Sequence, residues 1–254
     1  MTEWTWEPDD FAALWYSEAN DRFPSPLHYL SRFPYLEDYQ AHREQVRSRY
    51  SADAAEEVEL LVHTLSTSDI RIEILGSTTE LRGTIWEYRI LGARNLFHGA
   101  VLCQSIVDRQ PEGIRARLCR PEHLPTRIVN ALLPADPGSQ PAASFYAADI
   151  TAGDGDYRDD YTRSSPRERF ERLLRRPAHG EGIALLHTGS ILHRADPSQT
   201  IRWHDITGDG RYTERRDGDL IHVRPTVPKE LIGEFTTWID DAARRLRGDE
   251  DYEW

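Results

Sequence analysis

A block near the middle of the chain recurs near its end. Arg120-Pro121 leads to Pro125, then Ile128-Val129 and Leu132; later Arg224-Pro225 leads to Pro228, then Leu231-Ile232 and Phe235. Each block reads as the end of a strand, an Arg-Pro pair, a proline in a first helical turn, and apolar residues three, four and seven positions after it. Proline suits the first turn because its missing N–H would find no helical partner there. The spacing places the apolar residues on one helix face. Such a duplication constrains the fold to two related halves of sheet plus helix, and it names no chemistry.

The segments between the blocks fit this frame. Asp9 or Asp10 can cap a short helix carrying Phe11, Leu14 and Trp15. Pro24 and Pro26 break it, and Leu27–Phe33 reads as a strand. Helices are predicted over Leu36–Tyr50 and Ala52–Ser66, the second with Ala55, Val58, Val62 and Leu65 on one face. Ile70, Ile72 and Ile74 alternate with Arg71 and Glu73, the period of a half-buried strand. Strands at Thr84–Leu91, Phe97–Val107 and Ile114–Arg120 complete a meander that closes into a helix over Pro125–Leu133.

After a loop from Pro134 to Gln140 the order repeats. A strand at Ala143–Ala148 precedes an acidic loop with Asp149, Asp154, Asp156, Asp159 and Asp160. Ser165-Pro166-Arg167-Glu168 is a capping box that opens a helix, with Phe170, Leu173 and Leu174 inward. Strands at Ile183–His187, Thr200–Asp205, Arg211–Arg215 and Leu220–Arg224 lead into a helix over Pro228–Leu246. Its stripe is Leu231, Phe235, Trp238, Ala242 and Leu246. The expected fold class is α+β, one twisted antiparallel sheet with helices packed outside and a pseudo-twofold internal repeat. Residues 1–254 read as a single domain with half-repeats at 9–133 and 141–247, and the acidic tail Gly248–Trp254 is expected to fray.

Composition narrows the partners. Seven Trp, eleven Tyr and seven Phe argue for a folded core, and a formal charge of −12 opposes nucleic-acid binding. The densest arginine run, Arg163 to Arg176, is interrupted by Glu168 and Glu171, as on a solvated helix face. No Lys or Arg precedes Arg22, so a signal peptide is not expected. No apolar run approaches the roughly 20 residues needed to span a bilayer, and the chain reads as soluble and without a membrane partner. Cys103 and Cys119 sit in neighbouring strands and read as small core hydrophobes.

Two motifs bear on chemistry. Asp205-Ile206-Thr207-Gly208-Asp209-Gly210 resembles the start of a calcium loop, but Arg216 occupies the twelfth position, where a glutamate should chelate. An Asp-Gly pair between two strands is also a hairpin turn, and Asp217-Gly218 repeats it, so the hairpin reading is preferred. His187, His204 and His222 lie in three separate strands and could meet on one sheet face, where they could bind zinc or simply pack. There is no nucleophile elbow, phosphate-binding loop or dinucleotide fingerprint, so neither an enzyme nor a cofactor is expected.

Several stretches resemble the EspG family of proteins associated with the ESX, or type VII, secretion systems of actinobacteria. They are Phe11-x-x-Leu14-Trp15 with Phe23-Pro24-Ser25-Pro26-Leu27, then Arg172–Pro177, Gly182–Leu186, Ile201–Asp205 into Asp209–Tyr212, and Val223-Arg224-Pro225. The likeness runs from about residue 9 to 246. It implies a central antiparallel sheet flanked by helical bundles with quasi-twofold symmetry. It also implies a cytosolic, non-enzymatic chaperone that covers the apolar tip of a PE–PPE heterodimer. In the family the contacts come from the loop between the second and third strands and from the C-terminal helical part.

That loop corresponds here to Gly76–Gly83, which makes Ser77, Thr78, Thr79, Glu80, Leu81 and Arg82 the candidate partner-binding residues. Leu81 is the one sizeable apolar residue in this polar turn. The chain's strong arginine bias departs from mycobacterial members, so a Trp-x-Gly type helical hairpin is an alternative cargo. The chain itself carries no Trp-x-Gly and no Tyr-x-x-x-Asp/Glu export signal, which fits a helper better than cargo. Two other readings compete: an adaptor that accepts a peptide at its sheet edge, and a metal enzyme built on the strand histidines. A sheet edge and a helix face are equally open to self-association.

Overall fold

The computed structural model describes residues 2–79, 84–151, 165–189, 191 and 196–250. The first half opens with strand β1 (Glu3–Trp6) and helices α1 (Pro8–Trp15), α2 (Leu36–Arg47) and α3 (Ala52–Ser66). Strands β2 (Ile70–Thr78), β3 (Trp86–Arg94), β4 (Gly99–Val107) and β5 (Gln110–Cys119) follow, then a 3-10 turn at Pro121–His123 and helix α4 (Leu124–Val129). The second half has β6 (Ala143–Tyr146), α5 (Ala147–Thr151) and α6 (Pro166–Leu174). It continues with β7 (Ala178–Thr188), β8 (Gln199–Ile206), β9 (Gly210–Asp217), β10 (Leu220–Pro225) and α7 (Pro228–Glu250).

The ten strands form one sheet in the order β1-β5-β4-β3-β2-β7-β8-β9-β10-β6, with antiparallel ladders between neighbours. Read outward from the β2–β7 seam, each half runs through its meander and ends on its own first strand. The expected α+β sheet with a pseudo-twofold repeat is therefore present. Gly76 and Gly182 lie opposite each other at the seam, and each is covered by a ring from the next strand out, Tyr88 and Trp203. A side chain on either glycine would collide with that ring, since a Cβ would lie 2.2 Å from its nearest atom. Trp203 Nε1 donates to the Tyr88 hydroxyl at 3.3 Å, tying the two halves together across the seam.

One sheet face carries a single core. Ile70, Ile72, Ile74 and Ile90 of the first half and Ala184, Leu186, Ile201 and Trp203 of the second pack beneath α4 and α7. The duplicated helices supply Leu124, Ile128, Val129 and Leu132 on one side and Leu231, Phe235, Trp238, Ile239 and Ala242 on the other. The opposite face is divided. Phe11, Trp15, Leu61 and Leu65 from α1 and α3 cover Leu91, Ala93, Leu102 and Ile114. Leu173 of α6 joins Phe145, Ile206, Tyr212 and Val223 in a separate cluster.

Several elements differ from expectation. Leu27–Phe33 is not a strand. Its neighbourhood is held by side chains: the Gln104 amide donates to the His28 carbonyl at 2.8 Å while its oxygen accepts from the His28 N–H at 2.7 Å. Arg89 donates to the Pro26 carbonyl at 3.0 Å, and Ser25 to Glu73 at 2.7 Å. A backbone satisfied in this way needs no ladder. The strand that opens the first half is β1, before residue 9, with Trp4 stacked on Trp6 and the Trp6 indole donating to the Tyr50 hydroxyl at 2.6 Å.

On α3 the buried positions are Val58, Leu61, Thr64 and Leu65, so Ala55 and Val62 lie toward the rim of the apolar face. The helix expected over Pro125–Leu133 is shorter and preceded by the 3-10 turn. Ala147 and Ala148 belong to α5, leaving β6 only four residues long. Ser165 and Glu168 form the reciprocal capping box. Asp149 lies in α5, while Asp154, Asp156, Asp159 and Asp160 fall outside the described residues. Helix α7 continues through Gly248 to Glu250; residues 251–254 fall outside the described residues.

Candidate functional site

The β2–β3 connection leaves the sheet beside the start of β7. Ser77 ends the half-buried part of β2, paired with Glu87 and Glu181. Thr78 is buried and still within the strand, its hydroxyl donating to the His179 carbonyl at 3.1 Å. Thr79 is exposed, and its N–H donates to the same carbonyl at 2.7 Å. The connection thus begins at Thr79, three residues later than the Gly76 start expected. Glu80, Leu81, Arg82 and Gly83 fall outside the described residues.

Ile85, within the strand expected over Thr84–Leu91, lies outside the observed one. Ile85 precedes β3 and is 62% exposed. It borders a groove of about 450 Å³ on the divided sheet face, whose apolar floor is the cross-strand pair Leu75 and Ile183. Glu87, Glu181 and Arg202 form a charged rim. An exposed isoleucine beside an apolar floor costs solvation free energy in the isolated chain, which a partner's apolar surface would recover. Its sequence signal was its position directly after the polar loop, not its alternation.

The C-terminal helix presents a polar outer side. Leu231, Phe235, Trp238, Ile239 and Ala242 are buried, while Lys229, Gly233, Thr236, Thr237, Asp240 and Arg244 are exposed. Glu234 is committed, accepting from Arg215 at 2.7 Å, Arg224 at 3.3 Å and the Trp238 indole at 3.0 Å.

The calcium-like motif is a hairpin turn whose carboxylates are already engaged. Thr207–Asp209 connects β8 to β9, with Gly208 at a φ of 75°. Asp205 is buried and takes a two-pronged ion pair from Arg211 at 2.7 and 2.8 Å. Asp209 accepts from Arg176 at 2.5 Å, the Tyr212 hydroxyl at 2.7 Å and the Ser139 N–H at 2.7 Å. Burial opposes ionisation of Asp209, but the hydrogen bonds from Tyr212, Ser139 and Arg176 outweigh it and hold its carboxyl well below the usual range. These bonds clasp the segment between the halves onto β9.

The strand histidines do not converge. His204 lies 3.6 Å from Glu214, His222 shares a 2.8 Å hydrogen bond with Ser144, and His187 lies at the far end of β7. Among the described residues, no group of three or more His, Cys, Asp or Glu is arranged to hold a metal. Cys103 and Cys119 are free, and burial pushes both thiols up to about 11. No described helix is long and apolar enough to cross a membrane.

No curated protein matches the chain. Among solved structures, it is similar to the Mycobacterium tuberculosis type VII secretion system chaperone EspG5, solved in complex with a PE25-PPE41 dimer. The TM-score is 0.59 at 15% identity, covering 94% of this chain and 96% of that one, which shows a shared fold. The sequence model of the EspG family matches residues 7–234, nearly the whole of both halves. This chain belongs to the EspG family.

Proposed function

We propose that the chain is a cytosolic, non-enzymatic secretion chaperone that binds and masks the apolar helical tip of a type VII secretion substrate such as a PE–PPE heterodimer. Masking keeps the substrate soluble and directs it to export. The observation that carries this reading is the family match across residues 7–234. The complex named for EspG5 supports the same class of partner, and a Trp-x-Gly type hairpin is the alternative cargo. The binding surface would be the β2–β3 connection, with Ser77, Thr79, Glu80, Leu81 and Arg82 as candidate contacts together with Ile85, and Thr78 anchoring the start of the connection. The groove floor of Leu75 and Ile183 would receive the apolar tip.

The chemistry asked of the site is burial of apolar surface, which needs neither a cofactor nor a nucleophile. A sheet-edge adaptor is less well supported. Both edge strands, β1 and β6, are only four residues long, and short edges offer little backbone to an added strand.

Co-expression with a PE–PPE heterodimer from the same organism, followed by size-exclusion chromatography, tests the reading. The wild-type chain is expected to co-elute with the heterodimer. Ile85→Arg is expected to weaken the complex by about tenfold or more, since burial of a large aliphatic side chain is worth about 2 kcal/mol. Leu81→Arg is expected to act in the same direction with little change in Tm. Unchanged affinity in both variants would remove the loop from the interface.

A further inference from the structure

Among the described residues two arginines are almost wholly buried, and they are treated differently. Arg211 is 3% exposed and fully engaged: both prongs meet Asp205, one also reaches the Leu133 carbonyl, and the guanidinium lies over the Trp203 ring. Arg71 is 2% exposed, with the Glu73 carboxylate as its charged neighbour on the same strand face. Its Nη1 donates to the Gly189 carbonyl, and its Nε has no partner. A buried guanidinium left in this condition carries a desolvation cost that an anionic acceptor would offset.

Arg71 lines a cavity of about 780 Å³ on the divided sheet face, between the Arg22–Leu27 segment and strands β2 and β7. Its wall mixes apolar side chains, Trp15, Phe23, Leu75 and Leu185 among them, with charged ones. A concave, partly apolar space walled by buried guanidinium N–H groups without partners, Arg71 Nε and Arg89 Nε, has the usual form of a small-molecule site. Of the other polar groups of the wall, Glu73 and Asp196 are acidic and exposed Arg22 adds a further cation. Arg89 donates to the Pro26 carbonyl, and Glu73 accepts from Ser25.

We propose that this cavity binds a small carboxylate with an apolar body, its head on the Arg71 guanidinium and its body along Leu75 and Leu185. Guanidinium and carboxylate match geometrically as a two-pronged pair. Glu73 and Asp196 also line the space and disfavour a doubly charged head such as a phosphate monoester. The site is offset along β2 from the β2–β3 connection, toward the end where Arg71 pairs with His187.

Octanoate is a suitable probe, titrated by calorimetry into the purified full chain alongside octanol and octyl phosphate. Octanoate is expected to bind one per chain, and at least about tenfold more tightly than octanol, the value of a charged hydrogen bond in a dry site. Arg71→Met is expected to erase that preference. Leu185→Trp, which fills the cavity and leaves Arg71 in place, is expected to abolish octanoate binding. Should Arg71→Met fail to fold, the octanoate–octanol comparison and Leu185→Trp still decide. No octanoate binding at millimolar concentration, equal binding of octanoate and octanol, tighter binding of octyl phosphate, or octanoate binding unaffected by Leu185→Trp would each overturn the site.

Discussion

The two faces of the sheet are built to different ends. On one, the duplicated helices α4 and α7 share a core that crosses the β2–β7 seam without a break. On the other, the N-terminal helices and α6 each cover their own half, and the clusters do not join. Between them the divided face keeps its open volume: the groove beside Ile85 and the cavity over Arg71, which share Leu75. One face makes the halves a single body; the other leaves concave space at their junction. A pseudo-symmetric fold can thus be welded on one side and left concave on the other.

The largest effect is expected where the second half holds its buried charges. Arg211→Met leaves Asp205 buried without its partner and should cost about 3–5 kcal/mol in urea unfolding. Phe235→Ala removes a fully buried ring from the shared core and should cost about 3–5 kcal/mol. Because that core spans both halves, its loss should lower one cooperative transition, with hydrogen exchange rising in β2 and β7 together. Leu173→Ala strikes the divided face and should cost about 2 kcal/mol, at the low end for such a truncation because its cluster is small. Exchange should then rise around α6, β9 and β10 and leave β3 and β4 protected. Equal exchange changes in both variants would erase the contrast between the faces.

Smaller effects sharpen the same contrast. Ser165→Ala deletes the α6 cap and should cost about 1 kcal/mol. Asp209→Asn tests the clasp on the linker between the halves. The folded-state pKa of Asp209 is depressed, so its contribution is present above the ordinary carboxylate range and fades as pH falls toward the folded value. The Tm difference between wild type and Asp209→Asn should therefore be largest near neutrality and shrink below about pH 4. A difference that grows on acidification would contradict the clasp.

Much of this fold was legible because periodicity and proline placement speak directly about local structure. Ile70, Ile72 and Ile74 announced β2, and Pro228 with its apolar stripe announced α7. Strand β1 was missed because four residues are too few for alternation to register, although Trp4 and Trp6 carry it. Leu27–Phe33 read as a strand because its apolar residues hid a dependence on distant side chains, Gln104, Arg89 and Glu73. The proposed binding surface was legible only through family likeness, and Ile85 went unmarked because its exposure is a tertiary property. Arg71 alternates with isoleucines as a surface residue would, yet tertiary packing buries it.

The most direct test of the chaperone reading is to mix the purified chain with a PE–PPE heterodimer from its own organism and measure the mass of the product by light scattering. A single species containing chain and heterodimer together, lost with Ile85→Arg, is the predicted result. Separate elution of chain and heterodimer, with each free at micromolar concentration, would contradict it.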